Sequence, residues 1–143
     1  MQKLSINALL IFVNIFLFSF TAAGQRPMSC RIHGQILSVI KSKEKDSTSI
    51  CAKHPCKAKV RIIGISACGQ GVSWILNQGD EVEMDFAYTL HNTSKILPAM
   101  KAQYPGLKKG DEFTAPAMYH LKPGTNGAFT VYEYDKIVRQ KSN

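Results

Sequence analysis

The stretch Cys56-Lys57-Ala58-Lys59-Val60-Arg61-Ile62 sets three basic side chains against three apolar ones in strict alternation. Successive side chains of a strand point to opposite faces. Lys57, Lys59 and Arg61 therefore face water while Ala58, Val60 and Ile62 face a core, in a strand that runs Cys56–Ser66. A second alternating stretch, Glu81–Leu90, gathers Val82, Met84, Phe86, Tyr88 and Leu90 on one face and opens the other with Glu81, Glu83 and Asp85. Paired as neighbours, the two strands bring a basic row opposite an acidic one. Strands with one wet face belong to antiparallel sheets, so the chain reads as mainly β.

Working outward from this pair, Arg31–Ile40 is rich in Ile, Leu and Val and reads as the first strand, and the polar, charged Lys41–Ser49 as the loop after it. Ala67–Gly71 bends the chain into the apolar Val72–Leu76 around Trp74. Thr93–Tyr104 breaks the strand rhythm. Pro98 suits the first turn of a short helix over Ala99–Gln103, which Pro105-Gly106 stops. Glu112–Leu121 returns to strand composition, with Pro116 implying an edge or a bulge. Lys122–Gly127 is a turn, and Ala128–Val138, with Phe129, Val131, Tyr132 and Tyr134, is the last strand. Leu76-Asn77-Gln78-Gly79-Asp80-Glu81 recurs as Leu107-Lys108-Lys109-Gly110-Asp111-Glu112, so one turn into a strand is expected twice.

The amino-terminal end places the domain. A positive start at Met1–Lys3, an apolar run over Ala8–Phe20 and the small residues Thr21-Ala22-Ala23-Gly24 form the pattern of a secretory signal peptide, residues 1–24. Residues 25–143 are then one domain of 143 − 24 = 119 residues, exported to the periplasm or secreted. No later stretch approaches the ~20 apolar residues of a membrane-spanning helix. Lipid anchoring at Cys30 would need that cysteine directly behind the apolar run, and Arg26 and Pro27 intervene. The formal charge is +8, and Lys3 is the only charged residue of the signal segment, leaving +7 on the exported domain.

In an exported domain the four cysteines read as two disulfides. If Arg31–Ile40 pairs with Lys57–Ser66, Cys30 and Cys68 meet at one end of the hairpin and Cys51 and Cys56 at the other. The predicted bridges are Cys30–Cys68 and Cys51–Cys56.

The order strand, strand, strand, short helix, strand, strand is that of the OB-fold, here a disulfide-braced five-stranded barrel with its helix between strands three and four. With export and disulfides, Cys30–Val138 resembles the netrin-like module of the tissue inhibitors of metalloproteinases. The resemblance rests on element order. Those inhibitors open their mature chain with a metal-chelating Cys-x-Cys, whereas Cys30 here is followed by Arg31-Ile32, so inhibition is not implied.

No nucleophile with its base, no phosphate-cradling glycine loop and no cofactor motif is present. The first functional reading is a non-enzymatic binding module for an anionic polymer or a protein segment, held on a basic barrel face with Lys53, Lys57, Lys59, Arg61 and Lys122. Export argues against nucleic acid as the working partner. A second reading is a structural or inhibitory accessory domain that docks through the Lys41–Pro55 loop. A third is a metal or redox protein built on the cysteine cluster, with Lys53, His54 and Lys57 favouring a thiolate or His54 joining a zinc site. Met118 and His120 have a spacing suited to copper. Asn92-Thr93-Ser94 is an N-glycosylation sequon, of use only in a eukaryotic secretory pathway.

Overall fold

The computed structural model describes residues 28–41, 46–69, 71–72, 75–121 and 127–139. The signal-peptide reading of residues 1–24, Trp74 and Lys122 lie outside the described residues.

The elements are β1 (Ser29–Ile40), α1 (Ile50–Lys53), β2 (Lys57–Cys68), β3 (Glu81–Phe86), α2 (Thr93–Ile96), β4 (Glu112–His120), β5 (Ala128–Val131) and β6 (Asp135–Ile137). The sheet runs β1-β2-β3-β5-β4, and β4 returns to β1, closing a five-stranded OB-like barrel. β3 and β5 are parallel, with Met84 opposite Phe129 and Phe86 opposite Val131. The other ladders are antiparallel. Inward residues of every barrel strand, among them Ile32, Ile36, Val60, Ile62, Met84, Phe113 and Val131, fill one core.

β1 is long enough to pair with both β2 and β4 because it curls. Its register against β2 shifts between Arg31 and Ile32, between His33 and Gly34, and between Ile36 and Ser38. Such bulges bend and twist a strand, as barrel closure requires. Gly34 sits where the curl brings β1 closest to the core: a Cβ there would lie 2.8 Å from Val60 Cγ1 and 3.0 Å from Phe113 Cζ.

The repeated L-x-x-G-D-E segment makes the same turn twice. Gly79 and Gly110 have φ of +93° and +90°, which glycine adopts without a Cβ penalty. Asp80 Oδ2 accepts from the Asn77 N–H at 2.7 Å, and Asp111 Oδ2 accepts from the Lys108 N–H at 2.9 Å. The first turn exchanges backbone hydrogen bonds with Ile62 through Gly79 N and Asp80 O, and the second does so with Ile36 through Gly110 N and Asp111 O. Leu76 and Leu107 anchor both turns in the core.

Three expectations need correction, and a fourth, at Pro116, is met in part. The third strand ends at Phe86, not Leu90: after the Ala87 N–H bond to Val131 O, the chain turns so that the Leu90 N–H reaches Pro55 O, and Tyr88 swings outward. The helix between strands three and four is Thr93–Ile96 rather than Ala99–Gln103. Asn92 Oδ1 caps it by accepting from the Ser94 N–H at 2.9 Å, so Pro98 follows the helix instead of opening it. The last strand is two pieces, because the chain steps at Tyr132–Glu133 from the carboxyl half of β4 to its amino half. Pro116 is not on an edge strand but meets the expected bulge: between the Thr114–Asp135 and Ala117–Val131 pairs, two β4 residues stand against three, 132–134. It falls opposite this step, where the β6 pairing ends at Thr114 and the β5 pairing begins at Ala117, so on that side its missing N–H leaves no ladder bond unmade.

Candidate functional site

The predicted basic row forms, and each of its members meets a carboxylate. The β2–β3 register sets Lys57 opposite Asp85, Lys59 opposite Glu83 and Arg61 opposite Glu81. Lys57 Nζ lies 3.2 Å from Asp85 Oδ1. Glu81 takes two cations, Lys59 Nζ at 2.8 Å and Arg61 Nη2 at 2.7 Å. The hydrogen bond from Lys59, then that from Arg61, holds the Glu81 carboxyl below its usual range. Pairs this exposed add little stability. Their consequence is electrostatic: the ladder presents both signs instead of a cationic strip.

Three cations that make no ion pair among the described residues stand on the segments flanking one end of the barrel. β2 and β3 are antiparallel, so α1, just before β2, and the segment just after β3 share that end. The Leu90 N–H bonds Pro55 O at 2.7 Å, Thr89 Oγ1 bonds the same carbonyl at 3.2 Å, and the His54 and His91 rings meet edge-on at 5.4 Å. Lys53 is exposed at the end of α1, and Lys95 and Lys101 are exposed on the loop that carries α2. None of the three makes an ion pair among the described residues. The reason is legible in composition: residues 47–79 and 86–110 contain no Asp or Glu.

This end is rigidly built. Cys51–Cys56 closes a six-residue knuckle around α1, and Ser49 Oγ accepts from the Cys51 N–H. In the α2 loop, Thr93 is fully buried, accepts from the Tyr104 N–H at 2.7 Å, and donates through Oγ1 to Gln103 Oε1 at 2.9 Å. The Gln103 amide nitrogen in turn donates to Met100 O at 2.8 Å. Asn92 is exposed, and its capping role uses Oδ1, which leaves the amide nitrogen to a glycan.

Both predicted disulfides form, Cys30–Cys68 and Cys51–Cys56, so a thiolate site would need one of them opened. Among the described residues no group of three or more His, Cys, Asp or Glu is placed to hold a metal. The residues with copper-like spacing, Met118 and His120, share one face of β4.

Two clusters had no signal in sequence. In the first, Glu112 is nearly buried and joins His33 to Arg139. His33 Nε2 lies 3.0 Å from Glu112 Oε2, and Arg139 donates to Oε1. The Arg139 bond, aided by His33, holds this carboxyl below its usual range against the cost of burial. Both carboxylate oxygens are thereby occupied. His33 and Glu112 stand 79 positions apart, and only β1–β4 pairing joins them. The second is a cleft of about 430 Å³ over the outer side of β4, between Arg31 and the Tyr134–Lys136 segment. Among the described residues no helix is long and apolar enough to cross a membrane. The chain matches no protein-family model, no curated protein and no solved structure.

Proposed function

We propose that the chain is an exported, non-enzymatic module that binds an anionic polymer at the barrel end built from α1 and the α2 loop. One observation carries this reading: Lys53, Lys95 and Lys101 stand there without acidic partners, whereas Lys57, Lys59 and Arg61 are each matched to a carboxylate. A cationic surface free of internal counter-charge attracts a polyanion at long range. The two disulfides support export to an oxidising compartment, secreted or periplasmic. The netrin-like kinship belongs to the same reading and is supported by element order alone.

Chromatography on immobilised heparin at low salt tests it. The wild-type protein is expected to bind and to elute with added salt. Replacing Lys53, Lys95 and Lys101 together by Ala should abolish retention, while replacing Lys57 and Lys59 should shift elution less. Flow-through of the wild type, or undiminished retention of the triple variant, overturns the proposal.

A second reading, docking of a protein through the 41–55 loop, is favoured by the rigidity of the knuckle, since a pre-ordered tip loses little entropy on binding. Deleting residues 43–49 should then abolish partner capture and leave the barrel folded.

A further inference from the structure

The cleft over β4 has chemistry of a different kind. Thr114 and Pro116 point outward from β4, alternating with buried Phe113, Ala115 and Ala117. β1 sets Arg31 directly opposite Pro116, and β6 sets Asp135 opposite Thr114. Residues 102–105, which include Tyr104, and Glu133, Tyr134 and Lys136 complete the walls. The volume of about 430 Å³ falls within the ~300–1,000 Å³ typical of small-molecule sites.

The aromatic wall is held in place by its own contacts. Tyr104 stacks on Tyr134 at 4.8 Å and on Tyr88 at 6.1 Å. The Tyr134 hydroxyl accepts from the Gly106 N–H at 3.0 Å, and the Tyr104 hydroxyl donates to Tyr132 O at 3.4 Å. A wall already ordered loses little freedom when a ligand settles on it.

The polar lining is mixed in sign: Lys136 is paired with Asp111 and Gln103 is bonded within its own loop, while the other charged groups are uncommitted. Arg31, Glu133 and Asp135 make no ion pair among the described residues. An anionic ligand would meet two carboxylates there, and a cationic one would meet a guanidinium and the Lys136 ammonium. A neutral ligand with donors and acceptors on its rim and C–H groups on its face satisfies all three. A pyranose ring is such a ligand: vicinal hydroxyls suit the planar guanidinium and carboxylates, and the C–H face suits aromatic and proline carbon.

We propose that this cleft binds a neutral sugar ring, with Arg31, Glu133 and Asp135 on its hydroxyls and Tyr104 and Pro116 against its C–H face. The cleft adjoins the cationic barrel end through residues 102–104 of the α2 loop, but its ligand is uncharged and does not depend on polyanion binding.

The test is titration of the isotope-labelled protein with cellotriose, maltotriose, mannotriose and chitotriose up to ~10 mM, followed through backbone amide resonances. At least one sugar is expected to shift the Arg31, Thr114 and Asp135 amides saturably. The Arg31→Ala/Glu133→Ala double variant changes two exposed side chains, so it keeps its dispersed spectrum and binds about tenfold or more weakly. Absence of shifts with all four sugars overturns the proposal, as does unchanged affinity of the variant. Shifts of the same amides by tetralysine or a heparin tetrasaccharide, with none from the neutral sugars, also overturn it and assign the cleft to a charged ligand.

Discussion

Lys59 Nζ lies 2.8 Å from Glu81 Oε2, although the register sets Lys59 opposite Glu83. The lysine reaches diagonally to a carboxylate that also holds Arg61. One acid thus quiets two of the three cations of the β2 row.

Glu81→Gln removes that acid. The net charge rises by one and Lys59 and Arg61 are released toward solvent. Elution from immobilised heparin should move to higher salt, while the thermal midpoint barely changes because exposed pairs contribute little. Elution at the same or lower salt would show that the ladder lies outside the polyanion's reach.

The two disulfides should differ in thermodynamic weight. Cys30–Cys68 closes a loop with a sequence separation of 38, Cys51–Cys56 one of 5. In the chain-entropy model their removal costs about 4 and about 2 kcal/mol respectively. Urea unfolding of Cys30→Ala/Cys68→Ala and Cys51→Ala/Cys56→Ala, each as a pair, measures both. A larger loss from the short bridge would place its effect in the packing of α1 instead of in the unfolded chain.

Gly34→Ala should destabilise the barrel by about 1–3 kcal/mol, the usual range for overpacking. Its methyl group would press on Val60 and Phe113, both fully buried. Gly64→Ala is the control, since its nearest neighbour would be His33 Cβ at 3.9 Å. Equal midpoints for the two variants in urea would refute the tight approach at Gly34.

Burial pushes the Tyr134 phenol up to about 12 from its ordinary 10.0. Between those values the unfolded chain has lost this proton and the folded chain retains it, so stability falls as pH rises from 10 and levels off near 12. The loss attributable to Tyr134 is at most about 3 kcal/mol. Tyr134→Phe should flatten the alkaline slope, at the cost of an unpaired Gly106 N–H. A slope unchanged in the variant would assign the alkaline loss to other groups.

Most of the scaffold was legible. Alternation at Lys57–Ile62 and Glu81–Phe86 marked two strands and their wet faces, because side-chain direction in a strand has a period of two. The hairpin geometry then paired the cysteines correctly. The L-x-x-G-D-E repeat announced its double turn because glycine and aspartate act on their own neighbours. Local reading failed at β3 because a distant hydrogen bond, Leu90 to Pro55, cut the strand short, and at the helix because the local Asn92 cap was passed over in favour of Pro98. The candidate site was legible in part. Lys53 stands where the positive end forms, but the pairing of Lys57, Lys59 and Arg61 with carboxylates depends on register and side-chain reach.

By itself, then, the sequence determined the strand faces, the order of elements, both disulfide pairs and the two glycine turns, all consequences of periodicity and near-neighbour chemistry. Only the tertiary structure decided that β5 and β6 divide around Pro116, that His33 and Arg139 converge on Glu112, and that Arg31, Tyr104, Glu133 and Asp135 share one cleft. Those groups lie far apart along the chain, and no local pattern encodes their meeting. Barrel closure, through the curl of β1 and the return of β4 to it, brings them together.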